Sequence, residues 1–477
     1  MQRDGSATTC SINYDRPMEL ISVPAIPDDT FTVGQAVNAL GFGKFQVKLL
    51  LSTGLCWMAD SMEITILSIL SSTLRCDWGI SKAEQALTIM IVFMSMMLSA
   101  TFWGILSDRY GRKKSLTICA ILLFYYGFLS SFSPSFLWIL LLRGLVGFAI
   151  GCAPQSVTLF AEFLPTKQKS KCVILLDCFW ALGASLEVVL ALIVMPSYGW
   201  RWLLAISTLP VLIFATITPW LPESATFHVM TGRTDKAFIT LERIAKENKK
   251  PMLFGRLIID HPFPVSRGGW KDLFSLEVRR TSASLWVIWF CSAICYYGIV
   301  LITTELFNTT AERCGSNGIG RSDCNLDCQL RRSDYIDLLW TTLGEFPGIF
   351  FTVIITEKIG RKKTMTWQLI IFAVIVCTLV KACTLSRTAL TIGLFLARGL
   401  IAGVFQAAYV YTPEVYPIHL RSAGVDACSV MARAGAMISP YIAQVLLQQS
   451  MSAAVGVYAA AALCTVLSIL ILPTDNR

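Results

Sequence analysis

Nearly all of this chain between residues 49 and 472 falls into apolar runs of about 20 residues, the length of helix that crosses the hydrocarbon core of a bilayer. Twelve such runs are read, at 49–71, 85–106, 115–133, 136–160, 171–194, 202–220, 284–306, 335–356, 364–384, 388–411, 422–446 and 451–472. They are called spans 1 to 12 below. Few folds remain open to such a chain. In lipid every backbone N–H and C=O must find its partner inside the protein, so a span is either a helix or a strand of a closed barrel. These runs are about twice the length of a barrel strand. The expectation is an all-α, multi-pass membrane protein. Composition agrees: 55% of residues are apolar and 15% charged, where soluble domains carry about 25% charged. The first 44 residues are polar and lack an apolar core segment, so no cleavable signal peptide is expected and span 1 serves as the insertion signal.

Lys and Arg fix the expected orientation, because cationic loops resist translocation. With the N-terminus in the cytosol, 28 of the 40 Lys and Arg fall on the inner side and nine on the outer; Arg143, Arg398 and Arg433 lie within spans. The net charge of +9 is therefore a topology signal. No basic stripe with interleaved aromatics points to nucleic acid. The expected organisation is a cytosolic tail (1–48), a six-helix half (49–220) and a cytosolic linker (221–283). A second six-helix half (284–472) with an outer loop (307–334) and a short cytosolic tail (473–477) complete it.

The turn between spans 2 and 3 reads Gly104-Ile105-Leu106-Ser107-Asp108-Arg109-Tyr110-Gly111-Arg112-Lys113-Lys114. A degenerate copy, Thr356-Glu357-Lys358-Ile359-Gly360-Arg361-Lys362-Lys363, joins spans 8 and 9, with Glu357 for Asp108 and Val353 for Gly104. Physically, Gly104 would let span 2 approach a neighbour closely. Asp108 would face the N-terminus of another helix, where free N–H groups and the dipole favour a carboxylate, and Arg112 would clamp that carboxylate. A second pair repeats too. Arg143-Gly144, Gly147 and Gly151 with Glu162 and Pro165 answer Arg398-Gly399 and Gly403 with Glu414 and Pro417. The offset is 255 residues for the Arg pair and 252 for the Glu and Pro pairs.

These motifs resemble the major facilitator superfamily, and with Pro222-Glu223-Ser224 after span 6 they resemble its sugar-porter-like branch. The resemblance implies twelve transmembrane helices in two six-helix pseudo-repeats and transport by alternating access. It also implies an inner latch in which Asp108 sits at the inner end of span 11, near Ser422. Two departures stand out. Lys169 occupies the Pro+4 position that Arg421 fills in the second half, losing the bidentate fork. The chain also runs from Leu472 to Asp475 without the branch's P-E-T-K-G tail. Further stretches, among them Ala59-Asp60-Ser61-Met62-Glu63, Trp340-Thr341-Thr342 and Gln406 to Pro417, resemble the synaptic-vesicle group of the superfamily, with organic-ion-like relatives. That implies a vesicle membrane, with the plasma membrane as the alternative.

Charges inside spans are costly and usually face a cavity or a partner. Acids occur at Asp60, Glu63, Asp177, Glu187, Glu305, Glu345 and Asp426, with Asp337 at the outer end of span 8, and none falls in spans 3, 6, 9 or 12. Asp60 lies roughly 16 Å into span 1, at the midplane, and Glu63 is three residues on, with Arg143 at similar depth. Two readings stay open. In one, Asp60 and Glu63 form a proton or cation site that Arg143 tunes. In the other, a permanent structural ion pair fills the same place. Arg433 would bind an anionic group or pair with Asp177 or Glu345. Trp57, Trp180, Tyr296, Tyr297, Trp340 and Tyr409 line a cavity or simply pack.

Four cysteines fall outside under this topology: Cys76, Cys314, Cys324 and Cys328. An oxidising lumen would join them in two disulfides, in any of three connectivities, with free thiols as the alternative. No His accompanies them, which argues against a metal. Asn308 opens the sole glycosylation sequon. Thr32-Val33-Gly34-Gln35 reads as a capping box for a short helix with Val33, Val37 and Leu40 on one face, expected on the inner membrane surface, with a frayed cytosolic tail as the alternative. Thr234 would cap a helix with Ala237, Leu241, Ile244 and Ala245 on one face. No G-x-x-x-x-G-K-[ST] or H-E-x-x-H motif occurs, so neither an enzyme nor an ATP-driven pump is expected, and no cofactor. The expectation is a monomeric carrier of a small-molecule solute in a lipid bilayer. A non-transporting receptor or regulator on the same fold is the alternative.

Overall fold

The computed structural model describes residues 30–258, 270–313, 331–380, 386–417 and 420–472. Within them every expected span is helical. Spans 1 and 2 are Lys44–Trp78 and Lys82–Tyr110, and span 3 is Arg112–Ser130. Span 4 breaks into Phe136–Ile150 and Pro154–Glu162 ahead of the proline. Spans 5 and 6 run through Lys169–Ser207, turning at Gly199 (φ 77°), and Leu209–Ile217. Span 7 is Arg279–Arg313; span 8 is Arg332–Leu343 and Glu345–Ile359; span 9 is Arg361–Thr378. Span 10 is Arg387–Val415, span 11 is Arg421–Pro440 with a π-helical turn Tyr441–Leu446, and span 12 is Met451–Ile471. Nine helical segments among the described residues are long and apolar enough to cross a membrane on their own. One of them, Leu175–Trp220, holds two spans. Spans 3 and 9 fall short of that measure because each opens on three cations.

The halves repeat each other in packing as well as in sequence. Span 1 lies on span 5 as span 7 lies on span 11; spans 2 and 4 correspond to 8 and 10, and spans 3 and 6 to 9 and 12. The same small residue makes the close approach in each half. A Cβ on Gly183 of span 5 would meet the Met58 carbonyl oxygen at 2.3 Å, and one on Gly435 of span 11 would meet that of Phe290 at 2.3 Å. Without a hydrophobic driving force between helices in lipid, such backbone proximity supplies the van der Waals contact that holds them together.

The face carrying the two basic turns is called the inner face. There Gly111 and Gly360 turn the chain at φ 100° and 89°, values that a side chain disfavours. The carboxylate that Arg112 clamps is that of Glu162, at 2.8 Å. This corrects the expectation that Arg112 holds Asp108. The second half repeats the arrangement with Arg361 and Glu414. The N-terminus of span 3 is capped by Glu223, which accepts from the Arg112 and Lys113 N–H groups at 2.8 and 3.2 Å. A Cβ on Gly104 would meet nothing within 4 Å, so the expected close approach there is absent. The side chain of Ser422 is outside those described.

The helix Val33–Leu40 forms as its capping box predicts: the Gln35 N–H donates to Thr32 Oγ1 at 3.3 Å and the Thr32 N–H to Gln35 Oε1 at 3.0 Å. Its apolar face is covered by protein, where a seat on the membrane surface was expected. Val33, Ala36, Val37 and Leu40 share a buried cluster with Ala237, Leu241, Ile244 and Ala245 of the helix Thr234–Asn248, whose cap is Arg233. Each apolar face is too short to be stable alone, and the two cover each other. A two-stranded parallel pairing, Thr30–Thr32 with Arg256–Ile258, ties the tail to the linker. Cys314, Cys324 and Cys328 and the side chains of Cys76 and Asn308 lie outside the described residues.

Candidate functional site

The outer half of the inter-half seam is sealed. Ile66, Leu70, Leu74, Val188 and Val194 of spans 1 and 5 form one buried cluster with Tyr335 and Leu338 of span 8. Beside it runs a polar seam. Glu305 of span 7 takes Lys82 Nζ at 2.7 Å and Gln85 Nε2 at 2.8 Å, both from span 2. Gln444, set by the π-helical turn of span 11, donates to Ser71 Oγ of span 1 at 3.3 Å.

Inward of this seal lies a central cavity of about 900 Å³, counting the space open at its mouth. Each wall presents residues at helical spacing. Span 1 contributes Trp57, Asp60 and Ile64, span 2 Phe93 and Met96, span 4 Pro154, and span 5 Asp177 and Trp180. The second half contributes Tyr296 and Tyr297 (span 7), Glu345 and Ile349 (span 8), Ala402, Phe405, Gln406 and Tyr409 (span 10), and Ser429, Ala432 and Arg433 (span 11). No lining residue comes from spans 3, 6, 9 or 12, where the sequence also places no acid.

The intramembrane charges divide into two kinds. Glu63 does not line the cavity. It pairs with Arg143 at 2.8 Å, the two side chains 2% and 0% exposed, and Glu187 lies beside them, accepting from Ser207 Oγ at 2.9 Å. Glu345 is likewise committed, to Arg398 Nε at 2.8 Å and the Tyr296 hydroxyl at 3.1 Å. Of the two partners that sequence reasoning suggested for Arg433, Glu345 is thus taken by Arg398. Asp177 accepts from Trp57 Nε1 at 3.2 Å. Asp60 and Arg433 are different. Both are more than nine-tenths buried, both line the cavity, and neither makes a hydrogen bond or ion pair among the described residues.

Aromatic side chains complete the walls. Trp57 and Trp180 pack at 5.3 Å between centroids, and Phe93 meets Tyr297 across the seam at 4.7 Å. Trp180 Nε1 donates to the Tyr296 hydroxyl at 2.7 Å, joining the halves at mid-depth. Tyr409 is 38% exposed, toward the cavity. Trp340 is 58% exposed and not among the lining residues, so the cavity reading does not hold for it. Sequence reasoning missed Gln406, whose amide oxygen and nitrogen are both buried without partners. Its spacing from Ala402 and Tyr409 on span 10 was the available signal.

Over residues 49–315 the sequence matches the Major Facilitator Superfamily. The chain belongs to this superfamily. It is 51% identical to the synaptic vesicle 2-related protein of Pongo abelii, over 94% of this chain and 82% of that protein. It is 48% identical to svop-1 of Caenorhabditis elegans, over 94% and 86% respectively. Its fold is similar to the partially occluded inward-open form of the xylose transporter XylE from E. coli, with a TM-score of 0.68 at 14% identity, covering 89% of this chain and 97% of that one. Membership makes this a multi-pass protein of a membrane transporter family and not of an enzyme family, with twelve helices in two repeats.

Proposed function

We propose that the chain is a secondary active transporter that moves a small organic solute by alternating access, with Asp60 and the Glu63–Arg143 pair as the candidates for proton coupling. The observation that carries this reading is the central cavity. Both halves line it, a buried apolar cluster seals it toward the outer face, and it holds a carboxylate and a guanidinium that the protein itself leaves unpaired. Charges left unpaired at membrane depth are expensive, and a site that binds and releases a charged solute is the economical reason to keep them. The committed pairs, Arg112–Glu162 and Arg361–Glu414, brace the inner ends of each half as rigid units, which is what rocking about a fixed site requires. Asp108 belongs to the inner latch of the inward-closed state. We place the inner face and both termini in the cytosol, and the protein in a vesicle or the plasma membrane, functional as a monomer.

The test is uptake from an untargeted metabolite pool into proteoliposomes, with and without a pH gradient, for wild type, Asp60→Asn and Glu63→Gln. Solute accumulation by the wild type supports carriage, and residual uptake in both variants that no longer responds to the pH gradient supports coupling. Full gradient-driven uptake in both variants removes the coupling assignment. No accumulation of any solute by folded wild-type protein favours the receptor alternative.

A further inference from the structure

We infer that the solute is a small zwitterion: a cationic amine seated against Asp60, an anionic group against Arg433, and an apolar or aromatic body between them. The inference rests on the transport reading above and deepens it. Asp60 comes from the first half and Arg433 from the second. They are near enough to feel each other's charge, yet they form no ion pair. Asp60 is 4% and Arg433 8% exposed, and Asp60 Oδ1 has no hydrogen-bond partner. Every other charge near the midplane has one: Glu63 has Arg143, Glu345 has Arg398, and Asp177 has Trp57.

A singly charged solute would satisfy one of the two and leave the other buried and unmatched. A zwitterion satisfies both at once and draws the halves together around it, which is the closure that alternating access needs. Two further features fit the same ligand. Trp57, Trp180 and Tyr297 line the same cavity as Asp60, and aromatic rings attract an ammonium. The Gln406 amide, with its donor and acceptor both buried and unused, offers a further pair of hydrogen bonds to the solute's polar groups.

The experiment is a binding titration on the purified full chain, read by intrinsic tryptophan fluorescence, since Trp57 and Trp180 line the cavity. The probes share a phenyl body and differ in charge. Phenylalanine and β-phenyl-γ-aminobutyrate are zwitterions of short and long spacing, phenethylamine is the cation, and 3-phenylpropionate is the anion. A charge-assisted hydrogen bond to a buried group is worth about tenfold or more in affinity. At least one zwitterion should therefore bind about tenfold more tightly than either singly charged probe. Asp60→Asn should reduce that zwitterion to the level of 3-phenylpropionate, and Arg433→Gln to the level of phenethylamine. Asp60→Glu, which keeps the charge, should retain much of the preference and guards against loss of fold. Zwitterions binding no better than the singly charged probes, including no binding by any probe, would overturn the inference, as would a preference that survives both substitutions. Failure of the transport reading looks different: the expected charge pattern in binding, with no uptake of the bound zwitterion into proteoliposomes. Uptake of some other solute with a flat charge pattern would leave transport standing and remove the zwitterion.

Discussion

Replacing Glu305 with Gln should shift the protein toward its outward-open form. The Glu305 carboxylate, 3% exposed, bridges span 7 to Lys82 and Gln85 of span 2 on the outer side of the seam. Stranding one member of a fully buried ion pair costs about 3–5 kcal/mol. Here the stranded member would be Lys82, which is 13% exposed at the outer surface and can extend its ammonium into water. Glutamine also keeps an acceptor for Gln85. The remaining loss is on the order of 1–2 kcal/mol, or roughly a five- to thirtyfold change in the ratio of the two states. Lys82→Gln should act more strongly, because it strands the more buried carboxylate. A cysteine reporter at Leu338, buried in the outer seal, would read both variants through its labelling by a membrane-impermeant thiol reagent from the outer face. Labelling equal to that of the Leu338→Cys parent, with all proteins folded, would refute the seal as described. So would a Lys82→Gln effect smaller than that of Glu305→Gln.

Other substitutions test the remaining contacts. Glu63→Gln strands Arg143 in the protein interior and should lower thermal stability in detergent by about 3 kcal/mol, whereas Asp60→Asn, which breaks no bond, should leave the unfolding temperature unchanged or raised. Tyr296→Phe removes the acceptor for Trp180 and should weaken the mid-depth link between the halves by about 1 kcal/mol, visible as greater reagent access to a cysteine at Ser429. Leu40→Asp buries a charge in the cluster under the N-terminal helix and should release that tail to limited proteolysis without preventing membrane insertion. Asp108→Asn should expose inner-half positions to a thiol reagent from the inner face, and Glu357→Gln should do so less, the second basic turn being the degraded copy.

The spans were readable because hydrocarbon imposes one rule on every residue of a run, and the sequence obeys it twelve times. The repeats were readable because Gly111 and Gly360 are fixed by backbone geometry and Arg143 and Arg398 by buried carboxylates. What each motif touches was not readable. Arg112 and Glu162 stand in separate motifs 50 residues apart in this numbering, and nothing local says that they meet. Asp60 and Glu63 share one side of span 1 by their spacing of three, but that spacing leaves them about 60° apart around the helix axis. Neighbouring spans divide that arc. Asp60 turns with Trp57 and Ile64 into the cavity, and Glu63 turns to Arg143. The short helix Val33–Leu40 was correct in its cap and its apolar face. Its seat was misjudged because an apolar face records that something covers it and not whether that cover is lipid or protein.

Rocking of the two halves about the central cavity is tested most directly by a pair of distances on opposite faces of one molecule. Spin labels at Ser197 and Ser333 report the outer ends of spans 5 and 8, and labels at Lys167 and Lys363 report the inner ends, after replacement of the exposed Cys377 and Cys464. In wild type the outer pair should be close and the inner pair apart. In Glu305→Gln the outer distance should lengthen and the inner distance shorten, in the same fraction of molecules. An outer distance that lengthens while the inner one stays fixed would mean that the seal has merely loosened, and would contradict alternating access about this cavity.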